Sequence, residues 1–423
     1  MKRSVRCRLV VAEIAPGGDG VAHVEHDGER RAVFVPAAAP GDELVASVDF
    51  SSRPARASDV RVERAGPGRR APSCPHADAC GGCSLIQLTP EARRDALGAI
   101  VGGTVLRALG DAAPAHVHHE APREEGFRTR ARLGVVGAKN AAIVGFRARG
   151  GGRLVEIPTC LVLDARLAPV LAILRSALAG ATGKGEASIA LGRGARPVVE
   201  LAWEGELPAS AFGAFDSEVA RGALAGAAIR LAGTSAPAVI GDATVLTLAA
   251  DGAPLEVPAG GFAQASPEVS VALARHVGAV AATAGRDVVE LYAGAGNLTT
   301  LLARGAKSYL AVESDLAAVT FARKSLAARG LAVRIAHAEA AKAPWPRRCD
   351  VVVLDPPRAG AKEVLAAIDR AKPRDVVYVS CDPATLARDA ATLVKLGFAP
   401  RSLHTFDMFP HTHHVESVLH LGR

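Results

Sequence analysis

The chain has 423 residues, with 50 lysines and arginines against 43 aspartates and glutamates. Its net charge is +7 and its isoelectric point is near 9.2. This length allows two or three domains with cores of their own and excludes a small scaffold held by disulfides. The basic excess mildly favours a polyanionic partner. The sequence contains no secretory signal and no apolar run of membrane-spanning length, so we expect a cytoplasmic protein without membrane contact.

The first part of the chain alternates short apolar runs with glycine-rich turns. Between residues 8 and 64, runs such as Ala32-Val33-Phe34-Val35 are separated by turns such as Pro40-Gly41-Asp42. This alternation predicts a small β-barrel. A linker follows, then a segment that holds most of the cysteines, and then a regular succession of strands and helices. We therefore expect three domains, at residues 1–66, 67–257 and 258–423.

From about Phe262 onward, apolar strands alternate with helical segments, which is typical of a parallel α/β sheet. The predicted strands are 287–291, 309–313, 333–337, 350–354 and 375–380, followed by a closing pair at 402–406 and 416–421. In open α/β sheets, ligands bind beyond the carboxyl ends of the strands. The residues that follow these strands are therefore the first candidates for a functional site.

A glycine turn follows the first of these strands. Gly294 and Gly296 precede a helix, and Glu313 ends the next strand, where a carboxylate can accept hydrogen bonds from ribose hydroxyls. This arrangement indicates an adenosine-containing cofactor. The third glycine of the dinucleotide fingerprint is missing, so S-adenosylmethionine fits better than NAD. The alternative is an ordinary turn and a solvated acid.

Two further strands end in reactive side chains. One leads into Asp355-Pro356-Pro357-Arg358, where two prolines hold a carboxylate beside a guanidinium, and Asp355 is placed to meet the cofactor or a substrate base. A purely structural turn is the alternative. The other strand delivers Cys381 into a polar turn, the position expected of a thiolate nucleophile. A buried, inert cysteine is the competing interpretation.

Four other cysteines have the spacing of a metal site. Cys74, Cys80 and Cys83 lie within ten residues around two glycines, and Cys160 follows downstream. Four thiolates suit tetrahedral zinc or an iron–sulfur cluster, and the absence of a second Cys-x-x-Cys pair favours the cluster. Unrelated free cysteines are the alternative. Cys7 and Cys349 have no partner in sequence.

The chain resembles the S-adenosylmethionine-dependent RNA uracil-5-methyltransferases, specifically the 23S ribosomal RNA branch with an N-terminal TRAM domain and a [4Fe-4S] cluster. The resemblance covers nearly the whole chain. It rests on the barrel and cysteine motifs above, the glycine turn, Phe127–Leu133, Phe262-Ala263-Gln264, Asp355-Pro356-Pro357-Arg358, Ser380–Asp389 and Asp407–Thr412. It implies an α/β protein: a class I (Rossmann-like) methyltransferase domain, an N-terminal TRAM/OB-like barrel and a central iron–sulfur α+β domain.

The resemblance also implies roles for individual residues. Cys381 corresponds to the nucleophile and Glu416 to the general base. The residues that would contact the cofactor or the target base are Gln264, Tyr292, Asn297, Glu313 and Asp355. The chemistry agrees, because uracil C5 becomes nucleophilic enough to accept a methyl group only after a thiolate adds at C6. The C5 proton must then be removed by a positioned base.

RNA contact is expected from the barrel and from Arg128, Arg130 and Arg132, which alternate along one predicted strand. A solvated strand face is the alternative. The histidines His411, His413 and His414 are interpreted as loop residues rather than metal ligands. Asp382 and Ser266 stand where the family often has asparagine, which leaves the target nucleotide open more than the reaction.

We expect a monomer that acts on RNA, with 23S ribosomal RNA favoured. The same reaction on transfer RNA is the nearest alternative. A cytosine-5-methyltransferase is disfavoured, because those enzymes usually carry a Pro-Cys turn where this chain has Pro356-Pro357. A non-catalytic RNA-binding protein is the alternative of a different class, and the presence of both Cys381 and Glu416 argues against it.

Overall fold

The computed structural model describes residues 4–423. Residues 5–64 form a closed five-stranded barrel in the order β1-β2-β3-β5-β4. Its strands are β1 (Val5–Ile14), β2 (Gly20–His26), β3 (Glu29–Val35), β4 (Glu43–Asp49) and β5 (Ala55–Arg64). In β4 every second side chain is buried, as the two-residue period of a strand requires. Those inward side chains are Leu44, Ala46 and Val48.

A second sheet has seven strands, in the order β13-β12-β11-β10-β7-β8-β9. The elements from the linker through this part of the chain are α1 (Pro90–Leu109), β6 (His116–His119), β7 (Arg130–Val136), β8 (Ile143–Arg147), β9 (Leu154–Glu156), α2 (Ala168–Ala177), β10 (Thr182–Leu191), β11 (Pro197–Glu206), α3 (Ala209–Ala220), β12 (Gly226–Leu231), β13 (Ala238–Gly241), β14 (Val245–Leu248) and β15 (Pro254–Val257). Helices α2 and α3 cover one face of the sheet, where Trp203 and Phe215 are fully buried. Strands β14 and β15 form a separate hairpin.

The third sheet carries the expected α/β succession. Its elements are α4 (Pro267–Ala281), β16 (Asp287–Leu291), α5 (Thr299–Leu302), β17 (Ser308–Glu313), α6 (Leu316–Ala328), β18 (Arg334–His337), β19 (Val351–Leu354), α7 (Leu365–Ala371), β20 (Asp375–Ser380), α8 (Pro383–Lys395), β21 (Ala399–Phe406) and β22 (Glu416–Gly422). All seven predicted strands are confirmed, and β21 begins three residues earlier than predicted. Every residue of β19 is buried, because helices cover both faces of a parallel sheet.

The strand order of this sheet is β18-β17-β16-β19-β20-β22-β21-β6. The first five strands are parallel, and β22 inserts antiparallel between β20 and β21. Strand β6, from the segment 67–257, adds parallel to β21 at the edge. Helix α1 from the same segment shares a hydrophobic core with α8. Part of the predicted central segment therefore packs on the methyltransferase-like sheet. None of the helices in residues 4–423 has the length and hydropathy needed to cross a membrane.

A buried carboxylate fastens the barrel to the linker that follows it. Asp42 has no solvent exposure, and its oxygens accept the backbone N–H groups of Ala39 at 2.7 Å and Gly66 at 2.9 Å. The Arg69 guanidinium donates to both of its oxygens, with Nε–Oδ1 at 2.9 Å and Nη2–Oδ2 at 2.7 Å. Burial alone would raise the pKa of Asp42, but Arg69 and the two N–H groups outweigh it, so this pKa lies below its ordinary value.

We expect Asp42→Ala to lower the free energy of unfolding by about 3 kcal/mol at pH 7, because the partly buried guanidinium and two N–H groups lose their partner. A lowered folded-state pKa means that this stabilisation is complete above the unfolded-state pKa, ~3.9, and is lost as the pH falls below it. The difference from wild type should therefore shrink in acid. Urea unfolding at several pH values measures it. The exposed Glu29→Ala is the control, and an equal loss in both variants would contradict the prediction.

Candidate active site and cysteine cluster

Four parallel strands bring their carboxyl ends to one edge of the third sheet. Tyr292 follows β16, Glu313 ends β17, Asp355 follows β19 and Cys381 follows β20. Because neighbouring parallel strands end side by side, residues far apart in sequence meet at this edge. Four of the seven residues predicted to act in catalysis or cofactor binding therefore lie at this edge.

The turn after β16 is shaped for close approach by a ligand. Tyr292, Gly294 and Gly296 all have positive φ, at 61°, 57° and 88°. The Gly294 N–H donates to Glu313 Oε2 at 2.8 Å, and the N–H groups of Ser314 and Asp315 donate to Glu313 Oε1 at 2.7 Å. A Cβ at Gly294 would meet no atom within 4 Å, so the space beside this turn is open. The Glu313 carboxylate is thus held in a fixed orientation next to an open turn.

Two cavities adjoin at Tyr292. One has a volume of about 260 Å³ and is lined by Glu313, Glu339 and Glu363 among others. The other has a volume of about 70 Å³ and is lined by Gln264, Asn297 and Asp355. The five residues predicted to contact a cofactor therefore line two cavities that share Tyr292.

Two of these side chains have unused hydrogen-bonding atoms. Gln264 Oε1 and Asn297 Oδ1 are buried without any hydrogen-bond partner in the part of the chain that the structure describes. Such orphaned acceptors are rare in protein interiors, and they are satisfied when a ligand supplies donors. Tyr292 is already engaged, since its hydroxyl donates to Glu363 Oε1 at 2.5 Å.

Glu290 also lines the smaller cavity, although it was not predicted from the sequence. Its Oε2 accepts hydrogen bonds from Thr299 Oγ1 at 2.5 Å and from the Tyr309 hydroxyl at 2.7 Å. Burial raises its pKa to about 7, although both hydrogen bonds oppose the shift. The available signal was an acidic residue inside the otherwise apolar run of β16.

The register of β20 against β22 brings Cys381 and Glu416 together. Ser380 pairs with Ser417, so the next residues along the antiparallel ladder are Cys381 and Glu416. Burial and the nearby carboxylates of Glu416 and Asp355 raise the pKa of the Cys381 thiol to about 11. Burial and Asp355 raise the pKa of Glu416 to about 8. Arg358 acts in the opposite direction on both groups. The thiol is therefore protonated at neutral pH in this state.

Asp382, one of the two departures from the family pattern, is the N-cap of α8. Its Oδ1 accepts the Thr385 N–H at 2.8 Å. Aspartate and asparagine are both strong N-cap residues, so the helix start after Cys381 is preserved. Ser266, the other departure, is buried at the N-cap position of α4, makes no side-chain cap bond and lines neither cavity.

The four spaced cysteines surround one small cavity. Cys74, Cys80, Cys83 and Cys160 line it together with apolar side chains that include Phe146 and Ile157. Burial and the neighbouring cysteines raise the pKa of Cys83 to about 12. Cys7 lies in the barrel and Cys349 in the core beneath the third sheet. The structure thus brings together the four predicted ligands and keeps the two unassigned cysteines apart from them.

The three predicted RNA-binding arginines do not share one exposed face. Arg128 lines the cysteine cavity, with its guanidinium carbon 5.7 Å from the centre of the Phe146 ring. Arg130 donates to the carbonyl oxygens of Gly260 at 3.1 Å and Ala263 at 3.4 Å, which holds the chain before Gln264. Arg132 is 63% exposed. Strand β7 begins only at Arg130, so the expected alternation does not extend to Arg128, and RNA contact by the three residues stays a prediction.

The loop before Glu416 is held by the cysteine segment, residues 74–87. The Leu85 N–H donates to the His411 carbonyl oxygen at 2.7 Å, and the His413 N–H donates to Ser84 Oγ at 3.1 Å. The ring of His411 lies 3.2 Å from an Arg70 nitrogen, and the ring of His414 lies 3.4 Å from an Arg358 nitrogen. These histidines connect the loop to Arg70, Ser84 and Arg358.

Within the eight-stranded third sheet, the seven strands β16 to β22, numbered 1 to 7 in chain order, have the order 3-2-1-4-5-7-6, and strand 7 (β22) is antiparallel to its neighbours. This order defines a class I methyltransferase fold. A family model described as tRNA (Uracil-5-)-methyltransferase matches residues 346–423, and one described as Methyltransferase small domain matches residues 260–371. The chain is similar over its whole length to a Pyrococcus abyssi tRNA (uracil-54, C5)-methyltransferase solved with S-adenosyl-L-homocysteine. The TM-score is 0.76 at 22% identity, covering 98% of this chain and 100% of the other. This likeness shows the fold.

Curated relatives named 23S rRNA (uracil(1939)-C(5))-methyltransferase RlmD share more sequence. The protein from Alkalilimnicola ehrlichii is 35% identical, covering 97% of this chain and 95% of the relative. The protein from Chromohalobacter salexigens is 34% identical, covering 98% and 89%. The chain belongs to the S-adenosylmethionine-dependent RNA uracil-C5-methyltransferase family.

The raised pKa of Glu416 predicts a pH-dependent stability difference. Between the ordinary pKa of 4.5 and about 8, the unfolded chain loses this proton while the folded protein keeps it, so wild-type stability falls as the pH rises. Glutamine does not titrate, so Glu416→Gln removes this pH dependence. We expect the free energy of unfolding of the variant to equal that of wild type near pH 4. At pH 8 it should exceed that of wild type by on the order of 2 kcal/mol.

Thermal and urea unfolding at both pH values measure this difference. Glu339→Gln, whose side chain is 66% exposed, is the control and should behave like wild type at both. A Glu416→Gln variant that is no more stable than wild type at pH 8 would show that the carboxyl group is not destabilised by burial.

Proposed function

We propose that this protein transfers a methyl group from S-adenosylmethionine to C5 of a uridine in 23S ribosomal RNA. The observation that carries the proposal is the register pairing of Cys381 with Glu416 beside the cavities around Tyr292. The near-full-length similarity to proteins named as 23S rRNA uracil-C5-methyltransferases supports this substrate. Ribosomal RNA as substrate also supports the expected cytoplasmic location.

The cofactor would be held by Gln264, Tyr292, Asn297, Glu313 and Asp355. These residues fit an adenosine cofactor, since the Glu313 carboxylate lies beside an open glycine turn. In addition, the side-chain oxygens of Gln264 and Asn297 are free to accept hydrogen bonds from a ligand. S-adenosylmethionine supplies an electrophilic methyl group when it is bound. Asp355 lies between this region and Cys381, so it can contact either the cofactor or the target base.

Cys381 would act as the nucleophile. Its sulfur forms a bond to uracil C6, the thiol proton leaves to solvent, and the C5–C6 π electrons move toward C5 and O4. C5 then accepts the methyl group. A thiol with a pKa near 11 is not a ready thiolate, so the proton is removed as addition occurs rather than beforehand. Arg358, which lowers this pKa, is the positive charge in the site that favours the step.

Glu416 would act as the base after methylation. Its carboxylate takes the proton from C5, the C6–S bond breaks, and the sulfur leaves as a thiolate that regains a proton. A carboxyl group with a pKa near 8 is mostly protonated at pH 7, so Glu416 first releases its own proton to solvent, and the carboxylate that results is a stronger base than an ordinary glutamate. The burial that destabilises this group therefore also gives it the basicity that the step needs.

The rest of the chain would hold the RNA. A uridine stacked in RNA cannot reach Cys381, so the target base must be flipped out. The exposed face of the second sheet forms an open groove of about 1000 Å³ whose lining includes Arg132, Lys184 and Arg230. These cations suit the phosphates of RNA. We assign the barrel, as a TRAM-like domain, and this groove to RNA binding, within segments 1–66 and 67–257 that precede the methyltransferase segment 258–423.

The cysteine cavity would hold a [4Fe-4S] cluster through Cys74, Cys80, Cys83 and Cys160. Four sulfur donors around one apolar cavity fit this group, and the guanidinium of Arg128 at the same cavity balances its negative charge. Methyl transfer needs no electron transfer, so the role proposed for the cluster is to fold the RNA-binding region. A zinc ion is the alternative occupant.

Covalent trapping tests the reaction. We expect Cys381→Ala to abolish transfer of labelled methyl groups to unmodified 23S RNA, because no adduct can form. Glu416→Gln should slow turnover by about 10²–10⁴-fold and accumulate RNA attached to the protein, because the C5 proton stays in place. Denaturing gels with labelled RNA detect the adduct. Cys349→Ala, which alters a buried cysteine elsewhere, is the control. If the label appeared in transfer RNA instead, transfer RNA would be the substrate. If neither RNA were labelled, the result would favour a non-catalytic RNA-binding protein.

Metal analysis tests the cysteine cavity. The wild-type protein, purified without oxygen, should contain about four iron and four sulfide ions per chain. Cys80→Ala should lose most of both, whereas Cys7→Ala should retain them. Oxidising and reducing the intact cluster should leave turnover unchanged. One zinc ion and no iron would contradict the assignment, and a large redox effect on turnover would contradict the structural role.

A further inference from the structure

A group of histidines lies at the β6 edge of the third sheet, outside the site described above. His116, His118 and His119 come from β6, His404 from β21 and His276 from α4. His116 and His118 face the α1 side, where a ring nitrogen of each lies within 2.9 Å of Thr405 Oγ1. His119 points to the opposite face of the sheet, toward His404 and His276.

The three histidines on the α4 side converge. Ring nitrogens of His119, His276 and His404 all lie within 4.8 Å of one another. His119 Nε2 and His404 Nδ1 are 2.9 Å apart. The His119 ring stacks on Phe406 at 4.4 Å between centroids, and the His276 ring lies 3.9 Å from that of His404. Ring packing therefore holds the three imidazoles in fixed orientations on three separate elements.

One ring nitrogen of this group is unpartnered. His276 Nε2 is buried and has no hydrogen-bond partner among residues 4–423. The three residues share a single hydrogen bond, between His119 and His404, although each imidazole offers two nitrogens. All three side chains are partly exposed, so an ion can reach them from solvent. An unpartnered buried nitrogen in a reachable group of imidazoles indicates an external ligand for them.

We propose that His119, His276 and His404 bind a divalent transition-metal ion of the zinc, cobalt or copper type. Imidazole nitrogen is the preferred neutral ligand for such ions, and metal–nitrogen distances of about 2.0–2.1 Å place ligand nitrogens roughly 3.4 Å apart in a tetrahedral site. The observed nitrogens lie within 4.8 Å of one another, so binding would draw them closer together. Three ligands of a tetrahedral site leave the fourth position for water.

The ion would fasten β6 and α4 to β21. Strand β6 belongs to the segment that precedes the methyltransferase sheet, and its pairing with β21 is short, from His116 to His119. A metal that binds only the folded arrangement stabilises it by mass action. The site takes no part in methyl transfer in this proposal, and it does not depend on the proposed function.

Cobalt titration of the full-length protein tests the site. Co²⁺ bound by imidazole shows weak visible bands, whereas Co²⁺ bound by cysteine adds an intense near-ultraviolet thiolate band, so the two sites are distinguishable. Wild type should bind one Co²⁺ without the thiolate band. His276→Gln and His119→Gln should bind it at least about tenfold more weakly. His118→Gln, on the opposite face of the same strand, is the matched control and should bind like wild type.

Two further measurements test the same site. Electron paramagnetic resonance of wild type loaded with one Cu²⁺ should show coupling to imidazole nitrogens, and excess Zn²⁺ should raise the thermal midpoint of wild type but not of His276→Gln. Wild-type Cu²⁺ without nitrogen coupling would overturn the proposal. Equal Co²⁺ affinity in His276→Gln and wild type would overturn it as well.

Discussion

The insertion of β22 antiparallel beside β20 is the constraint on which the candidate active site depends. It places Glu416 opposite Cys381, and the parallel pairing of β19 with β20 brings Asp355 to the same edge. Three acidic groups then share one buried region, which raises the pKa of each, while Arg358 partly opposes the shift for Cys381 and Glu416. The free protein therefore holds a protonated thiol beside a carboxyl group of raised pKa, and both must lose a proton to act as nucleophile and base.

The site is also coupled to the rest of the chain. The loop before Glu416 accepts a hydrogen bond from the Leu85 N–H and donates one to Ser84 Oγ in the cysteine segment, and Arg130 holds the chain that leads to Gln264. Helix α1 and strand β6 pack on the methyltransferase sheet itself. The regions assigned to RNA binding therefore help to position Glu416 and the cavities that would hold the cofactor. The folding of these regions and the geometry of the candidate site are consequently coupled.

Features set by neighbouring residues in the chain were predicted from the sequence more accurately than features set by contacts between distant residues. Strands such as β16 and β20 were predicted at their observed bounds, because a continuous apolar run between polar turns is a local property. The arginines at 128, 130 and 132 looked equivalent in sequence, yet one lines the cysteine cavity, one binds backbone carbonyls and one is exposed. Their differences come from neighbours well separated in sequence, such as Phe146 for Arg128 and Gly260 for Arg130, which no local pattern records.

The sequence by itself determined the family, the α/β succession, the cysteine set and the candidate nucleophile and base, because motifs and periodicity depend on the identity and order of nearby residues. The tertiary structure alone decided the placement of β6 at the sheet edge, the convergence of His119, His276 and His404, and the raised pKa values of Cys381 and Glu416. Strand partners, burial and charge–charge distances are set by packing through space, and a pKa responds to these rather than to adjacent residues in the chain.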